Sequence, residues 1–582
     1  MSTANPVRDE IVSWLEKRLP VDPGEIDGIL EIPPDPQMGD FALPCFPLAR
    51  ELRKNPAEIA SELADEFKPS ESVEEARASG PYLNFLVNRP KMMARLLGRI
   101  CEEGTEYGKS SEGNGQTIVI DYSSPNIAKH LGVHHLRSAI IGRALYEIFQ
   151  SLGYECIGIN HLGDWGTSFG KLIVAYERYD DLDAERASVT DLQEAYIRFS
   201  QEAEETPELE DQAREALKKL ENGDPEARAL WKRFKEVSLA EFKRIYMMLG
   251  IEFDQYKGES FYLNMTDELI DRLLSEEIAE ESENAIIVPL EDYDLPPLML
   301  QKRDQTTLYA TRDLCAARYR WDNYKFERCL YVVGGEQKLH FEQLRATLEI
   351  MGHEWSERIE HVDFGLLKFL DVDTGEARTG STRQGDIILL EDVLQDGVKK
   401  AKGKIQQNLS KIGEDTDLDE LAEKVGIGAV VFSDLSVRRA KDVIFDWDRM
   451  LDFEGDTGPY VQYAHARLCS ILRNAEEEVT PSADCSKLTL SDEWALVRML
   501  EEYPKKVQAA ARKREPSVVA NYLLELCSQF STYYSAGMRE PARRVLCEDP
   551  DVRAPRLLLV DAVRHVIGNG LNLLGVAAPD RM

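Results

Sequence analysis

The chain has 582 residues, which is enough for three or four domains and a large core. Its formal net charge of −35, taken alone, argues against a protein that binds nucleic acid. A net charge does not forbid a local basic face, and basic clusters occur at 438–441, 512–514 and 543–544. Nine cysteines without a CxxC pair indicate reduced thiols in the cytosol and argue against a zinc site.

The first part of the chain is predicted to be a separate domain over residues 1–112. Helical patterns alternate there with turns rich in proline and glycine, and the run KSSEGNGQ at 109–116 is typical of a linker. We expect neither secretion nor a membrane span, because residues 1–20 lack an apolar core and no run of about 18 apolar residues occurs.

The stretch 118–142 carries the strongest signal for chemistry. An apolar run at 118–122 predicts a strand, SSPN follows as a polar turn, and a helical period begins at Leu136. A lysine and three histidines fall within seven residues, at 129–135. Strand, polar turn and helix predict a nucleotide site, where phosphate meets the amino end of the helix. The alternative for any one histidine is an ordinary buried residue with satisfied hydrogen bonds.

A second predicted strand at 153–159 ends in NHLGDWGTSFG, whose three glycines in eight residues allow a close approach of the backbone to a ligand. Residues 172–250 are helical and rich in charge, with no strand signal. We interpret them as a helical insertion between the two halves of a nucleotide-binding fold, acting mostly as scaffold.

The second half of this fold follows the insertion. A helix is predicted over 308–319, and within it Tyr309 and Asp313 are four residues apart and share one face. The apolar run 329–333 predicts a buried strand, which ends in GGEQKLH at 334–340. This arrangement of strand, glycine turn and helix repeats the plan of the stretch at 118–142.

The remaining chain is predicted to be a polar loop at 380–386 (GSTRQGD), a helical stem at 421–455 and a helical bundle at 456–582. Aromatic and basic residues alternate in the bundle, namely Tyr460, Tyr463, Arg467, Tyr533 and Tyr534. Each tyrosine on a helix is either a core residue or a platform on which a base stacks, and the sequence leaves both open.

PNIAK at 125–129 and HLRS at 135–138 resemble the "HIGH" region of class I aminoacyl-tRNA synthetases, in particular of the arginyl-tRNA synthetases. Runs along the rest of the chain resemble the same family in the same order: GDFA, GPYLNF, GDWG, DQYKGESFY (254–262), YVQYAHAR and the ending APDRM. The loop at 380–386 falls where the family carries its mobile "KMSKS" loop.

The resemblance implies an α/β fold in three parts. A Rossmann-like parallel-sheet catalytic domain (113–455) would hold the helical insertion and the stem helices. An N-terminal additional domain (1–112) would contact the tRNA elbow, and an all-α C-terminal bundle (456–582) would bind the anticodon. The implied protein is a monomeric, cytoplasmic arginine–tRNA ligase that acts on ATP with Mg²⁺, on L-arginine and on arginine tRNA. In this family, activation of arginine requires bound tRNA.

The resemblance also implies site residues, position by position. For L-arginine these are Asp121, Asn126, Tyr309, Asp313 and Gln337. For ATP they are His130, Gly132, His135, Gly163 and His340. For catalysis they are Lys129, His135 and Arg383. No protein-bound metal site is implied.

The chain departs from the family at both motifs that handle phosphate. Gly132 stands where the first histidine of "HIGH" is usual, and His134 stands where its glycine is usual. We expect His130 to replace the missing histidine. In the mobile loop the usual second lysine is Thr382. Some members of the family use a lysine before "HIGH" instead, and Lys129 occupies that position.

Arg383 keeps a positive charge near the loop, where a guanidinium could hold phosphate oxygens or contact water alone. The residues leave two alternatives to the ligase. The departures leave room for a synthetase-like protein that binds tRNA but is catalytically weak. A dehydrogenase would need a GxGxxG after a strand, which the chain lacks.

Overall fold

The protein is represented by a computed structural model that describes residues 6–33, 38–179, 186–303, 308–370, 377–379, 388–407 and 417–582. The predicted polar loop at 380–386, and with it Arg383 and Thr382, lies outside the described residues. None of the described helices combines the length and the apolar composition that crossing a membrane requires.

The amino-terminal part is an antiparallel sheet covered by helices. Its elements are α1 (Pro6–Glu16), α2 (Pro23–Ile29), β1 (Phe41–Pro44), α3 (Phe46–Leu52), α4 (Pro56–Glu66), β2 (Val73–Ser79), β3 (Tyr82–Val87) and α5 (Arg89–Glu103). The strand order is β1–β3–β2. Phe85 on β3 is fully buried against Trp14 and Phe67, at ring distances of 6.1 and 5.8 Å. These edge-to-face contacts fasten the helices to the sheet.

The central part follows the predicted plan of strand, turn and helix. Its first elements are β4 (Thr117–Asp121), α6 (His135–Ser151), β5 (Glu155–Ile159), α7 (Thr167–Arg178), α8 (Val189–Glu205), α9 (Glu208–Glu221) and α10 (Pro225–Met248). The described residues between 172 and 250 form helices and no strand, as predicted for the insertion. Asp224 starts α10 by accepting hydrogen bonds from the first free backbone N–H groups, and Pro225 needs no such partner.

The second half of the central part adds α11 (Leu263–Ser275), β6 (Glu280–Ser282), β7 (Ala285–Val288), β8 (Leu298–Gln301), α12 (Tyr309–Tyr324), β9 (Arg328–Tyr331), α13 (Lys338–Ile350) and β10 (Ile359–His361). Strands β10–β9–β4–β5 form one sheet, and each neighbouring pair is parallel. Asp121 is level with Ile159 and Tyr331, so the turns after β4, β5 and β9 meet at one edge. This arrangement confirms the predicted Rossmann-like sheet.

Two small sheets were not predicted. Strands β6, β7 and β8 form an antiparallel sheet of short strands between α11 and α12. The next elements are β11 (Leu367–Leu370), β12 (Ala377–Thr379), α14 (Leu390–Gln406), α15 (Leu418–Leu435), β13 (Val443–Phe445) and α16 (Trp447–Met450). The predicted helical stem is therefore wrong after Leu435, because β13 leaves the helices and pairs in parallel with β11.

The carboxyl-terminal part is helical, as predicted. It contains α17 (Gly458–Ala475), α18 (Ser491–Lys513), α19 (Ser517–Arg539) and α20 (Pro550–Leu573). The structure divides its tyrosines into two groups. Tyr533 is buried in the core, whereas Tyr460, Tyr463 and Tyr534 are partly exposed.

A buried ion pair connects the start of α6 to the helices behind it. Arg137 and Asp434 on α15 have side chains that are 1% and 2% exposed, and they approach to 2.9 Å. The same guanidinium donates to the carbonyl groups of Gly365 and Lys441, at 2.7 and 2.8 Å. Arg137 therefore joins three separate segments of the chain.

We predict that Arg137→Ala lowers the free energy of unfolding by about 3 to 5 kcal/mol, because it leaves the carboxylate of Asp434 buried without a partner. Urea denaturation would measure the loss. The matched control is Lys424→Ala on α15, whose ion pair with Glu420 is 41% and 62% exposed. Removing this exposed ion pair should lower the free energy of unfolding by less than about 1 kcal/mol. Equal losses in the two variants would contradict the prediction.

Candidate functional site

A cavity of about 540 Å³ opens at the edge of the sheet where the turns after β4, β5 and β9 meet. It is lined by residues from all three turns and from α12. The predicted site residues that it brings together are Asp121, Asn126, Gly163, Tyr309, Asp313, Gln337 and His340. Lys129, His130, Gly132 and His135 are not among the described residues that line it.

Asp121, predicted to bind the substrate, is already paired within the protein. Its Oδ2 accepts a hydrogen bond of 2.6 Å from Arg320, and its Oδ1 accepts one of 2.8 Å from the hydroxyl of Ser124. Arg320 is fully buried on α12 and lies over the ring of Tyr331. The negative charge of Asp121 is therefore compensated before any ligand enters.

Asp313 presents a second carboxylate to the cavity. Its Oδ2 lies 2.8 Å from Nε2 of His340, and its Oδ1 lies 3.7 Å from Nε2 of His161. Burial raises the pKa of Asp313, but the hydrogen bond and the charge of His340 outweigh it, so that this pKa is lowered. The carboxylate is therefore ionised at neutral pH. The ring of Tyr309 lies 5.1 Å from that of His340, on the same side of α12.

Glu259 is a cavity residue that the sequence reasoning missed. It lies in the run at 254–262 that resembles the family, but no residue of that run was assigned a role. Burial raises the pKa of Glu259 to about 7, although Arg312 approaches it to 3.2 Å. His161, in the run that follows β5, was missed as well.

A buried carboxylate at Asp164 positions the segment that carries Glu259. It accepts hydrogen bonds from the backbone and the hydroxyl of Ser260, at 2.8 and 2.7 Å, and from Lys235 on α10 at 2.5 Å. Gly258 is packed so closely that a Cβ there would lie 2.5 Å from Oδ1 of Asp164. The segment 258–260 is thus held in place by a residue of the GDWG run and by the helical insertion.

Gly163 forms a close contact between the turns after β4 and β5. A Cβ at this position would lie 1.9 Å from Oδ1 of Asn126. Its N–H donates to the carbonyl of Pro125 at 3.0 Å, and its carbonyl accepts from Ile127 at 3.2 Å. Both backbone groups are therefore used in joining the turns. The glycine allows Asn126 to enter the cavity wall.

Lys129 and His130 lie against the helical insertion. His130 contacts Glu241 on α10 through Nδ1 at 2.7 Å and Thr190 on α8 through Nε2 at 3.1 Å. The ammonium group of Lys129 lies 5.0 Å from the ring centre of Tyr196 on α8. Both ring nitrogens of His130 thus have hydrogen-bond partners within the protein. This differs from the prediction that His130 replaces the missing histidine of the motif.

His135 is the first residue of α6 and is electrically neutral. Its Nδ1 lies 3.1 Å from the carbonyl of Gly132, a contact that is satisfied when Nδ1 carries the proton. Burial and the neighbouring His134 lower the pKa of His135 to about 3. The ring of His134 lies 4.0 Å from that of His135 and remains exposed. His135 can therefore accept a hydrogen bond from a ligand at Nε2, but it offers no positive charge near neutral pH.

Comparisons with known proteins agree with this architecture. Three family models match: tRNA synthetases class I (R), catalytic domain, over residues 97–447; DALR anticodon binding domain, over 461–582; and arginyl tRNA synthetase N terminal domain, over 5–87. The arginine–tRNA ligase of Clostridioides difficile (strain 630) is 44% identical over 96% of both chains. That of Clostridium perfringens (strain 13 / Type A) is 45% identical over 96% of both.

Among solved structures, the Thermus thermophilus arginyl-tRNA synthetase matches with a TM-score of 0.79 and 26% identity, covering 99% of each chain. The match extends over all three parts of the fold. The chain belongs to the arginyl-tRNA synthetase family of class I aminoacyl-tRNA synthetases.

Proposed function

We infer that this chain is an arginine–tRNA ligase, which activates L-arginine with ATP and transfers the arginyl group to the 3′ end of arginine tRNA. The observation that carries this inference is the cavity of about 540 Å³, whose wall presents the carboxylates of Asp313 and Glu259. Its volume lies within the range of about 300 to 1,000 Å³ that is usual for small-molecule sites.

The proposed cavity chemistry suits a guanidinium. This planar cation loses its water on binding and needs carboxylates and fixed hydrogen-bond acceptors in return. We assign the two carboxylates to the guanidinium, together with the hydroxyl of Tyr309. Asn126 and Gln337 supply amide groups from the turns after the neighbouring strands β4 and β9. Asp121 receives a different role from the predicted one, because its oxygens already hold Arg320 and Ser124.

Specificity for arginine follows from the number of fixed polar groups. Lysine presents one compact ammonium group, which lacks the planar fork of donors that a guanidinium offers to two carboxylates. A site built around several hydrogen bonds rejects a ligand that lacks them by a factor of about 10⁴ or more. We therefore propose that Asp313 and Glu259 together select arginine.

Activation is an in-line attack of the arginine carboxylate on the α-phosphate of ATP, so that the protein must position the reactants and stabilise negative charge. We propose that ATP lies toward the amino end of α6, beside His135 and Gly132, with Lys129 as the nearby cation. Mg²⁺ would enter with the phosphates, and no protein residue is assigned to it. Arg383 keeps its predicted role near the phosphates.

A second cavity, of about 790 Å³, lies between α17 and α19 and is proposed to hold anticodon bases. Tyr460, Tyr463 and Phe530 line it, and the guanidinium of Arg467 lies 4.6 Å from the ring centre of Tyr463. Partly exposed rings beside a cation are typical of sites on which single-stranded bases stack. Tyr533 is excluded from this role because it is buried.

A basic patch gives tRNA a place to bind despite the acidic composition. The backbone N–H of Arg439 donates to Glu515 at 3.2 Å, and its side chain donates to the carbonyl of Arg514 at 3.1 Å. These bonds hold the loop 438–441 against the end of α18. The exposed cations of the two segments therefore lie on one surface, namely Arg438, Lys441, Arg512 and Lys513. We call these four residues the basic patch.

We propose that the ligase acts as a monomer in the cytoplasm. All nine cysteines are free thiols in the structure, which suits a reducing compartment. Nothing in the proposed site requires a residue from a second copy of the chain.

The central test is ATP–pyrophosphate exchange by the purified protein with L-arginine and Mg²⁺, run with and without arginine tRNA. We expect exchange only when the tRNA is present, as in the family, and none with a tRNA for another amino acid. Absence of exchange in every case, with normal binding of arginine tRNA, would instead support the catalytically weak tRNA-binding protein.

The second prediction concerns the effect of pH on arginine binding. Glu259 attracts the guanidinium only when it is ionised, and its pKa is raised to about 7. At saturating ATP and tRNA, we expect KM for arginine to rise about tenfold as the pH falls from about 8 to about 6. Glu259→Gln should raise KM at high pH and remove this dependence, whereas KM for ATP should stay the same.

The matched control for this experiment is Glu252→Gln, which changes an exposed carboxylate that precedes the run 254–262. It should leave the pH dependence as it is in the unaltered protein. A KM for arginine that stays constant between pH 6 and 8 in the unaltered protein would rule out Glu259 as a ligand of the guanidinium.

The third prediction concerns the basic patch. Charge reversal by Arg438→Glu with Lys513→Glu should weaken tRNA binding and lower its dependence on salt, because fewer phosphates are neutralised. KM for arginine should not change. Filter binding over a range of salt concentrations would measure both effects. The control is Lys218→Glu with Lys219→Glu on α9, which changes the net charge of the protein by the same amount. Equal losses in the two pairs would argue against the patch.

A further inference from the structure

Three side chains of the kinds that bind metal ions meet where the end of the chain returns to α17. His465 and Cys469 are four residues apart on that helix, so that they share one face, and Asp580 comes from the segment after α20. Their donor atoms all lie within 4.8 Å of one another. In the part of the chain that the structure describes, no other group of three such residues meets this criterion.

The spacing of the donor atoms fits a tetrahedral ion. Sγ of Cys469 lies 3.8 Å from Nδ1 of His465 and 3.5 Å from Oδ1 of Asp580. With zinc bonds of about 2.3 Å to sulfur and about 2.0 to 2.2 Å to nitrogen or oxygen, neighbouring ligands of a tetrahedron lie about 3.5 Å apart. Both separations therefore match the edges of a zinc tetrahedron. The third edge joins His465 to Asp580, whose exposed carboxylate can turn to fit it.

The cluster of His465, Cys469 and Asp580 is buried on the side of α17 and open to solvent on the side of Asp580. His465 and Cys469 are 4% and 7% exposed, whereas Asp580 faces solvent. The carbonyl of Pro579 lies 3.0 Å from Nδ1 of His465 and is a further oxygen at the cluster. Arg564, a neighbouring cation on α20, is held by Asp561 at 2.8 Å, so that its charge is compensated.

We propose that His465, Cys469 and Asp580 bind one Zn²⁺ ion through nitrogen, sulfur and oxygen, with water or the carbonyl of Pro579 in the fourth position. Mixed donors of this kind suit zinc among the divalent ions. On binding, the thiol of Cys469 loses its proton to solvent and the thiolate joins the ion. The imidazole proton then resides on Nε2, and Nδ1 binds the metal.

The sequence did not reveal this site, because its third ligand is 111 residues away from Cys469. The absence of a CxxC pair argued against a zinc site, but that criterion overlooks a cluster with a single cysteine. The ion would fasten residues 579–582 to α17. Met582 lines the same cavity as Tyr463 and Arg467, so that the ion would fix one wall of the proposed anticodon cavity. This consequence, unlike the metal site itself, rests on the proposed function.

The test is titration of the reduced, metal-free full-length protein with Co²⁺, a spectroscopic substitute for zinc. We expect one equivalent to produce a thiolate-to-cobalt charge-transfer band and tetrahedral visible bands, which one equivalent of Zn²⁺ then removes. Cys469→Ser should abolish the charge-transfer band. Asp580→Asn, close to the chain end and exposed, should weaken binding by about 100-fold or more, since loss of even an indirect partner of a metal costs about 10- to 100-fold.

The matched control is Cys547→Ser, which removes a cysteine outside the cluster and should leave the bands unchanged. Absence of the bands in the unaltered protein would overturn the proposal. The proposal would also be overturned if the Cys469→Ser and Asp580→Asn variants both gave bands as strong as those of the unaltered protein. The titration needs neither tRNA nor arginine, so its failure would leave the proposed ligase function untouched.

Discussion

The cavity depends on the buried pair between Asp121 and Arg320. An isolated guanidinium without water would be strongly destabilising, so the end of β4 and the middle of α12 must stay together. Arg320 also lies 3.4 Å from Nδ1 of His161. If the guanidinium donates to that nitrogen, the proton of His161 resides on Nε2, which faces Asp313 at 3.7 Å. One internal arginine therefore orients the groups around the site proposed for a second arginine.

This internal cation also supports the proposal that two further carboxylates bind the substrate. A substrate guanidinium that enters beside Arg320 meets a like charge, and Asp121 can neutralise only one of the two. Asp313 and Glu259 are further carboxylates in the cavity wall, where Asp313 contacts His340 and Glu259 contacts Arg312. Their surroundings differ: hydrogen bonding keeps Asp313 ionised, whereas burial raises the pKa of Glu259 to about 7. The two carboxylates therefore respond differently to pH, although both line the same cavity.

Much of the fold follows from local patterns, and its exceptions have a common cause. The strand, turn and helix at 118–142, the helical insertion and the carboxyl-terminal helices were all predicted from periodicity. The sheet β6–β7–β8 was missed because its strands have only three or four residues. At the site, Asp121 was identified, but its partner Arg320 is 199 residues away along the chain. Such long-range partners leave no local signal in a single sequence.

The helical insertion was interpreted as scaffold, yet it reaches both sides of the site. Lys235 on α10 holds Asp164, and through it the segment with Glu259, while Glu241 on the same helix holds His130. A shift of α10 would therefore move a wall of the cavity beside Asp313 and Glu259 together with the residues before α6. Because α10 forms hydrogen bonds to both turns, the insertion fixes their relative position. The proposed sites for arginine and for ATP thus share one support, which neither local sequence nor the sheet alone provides.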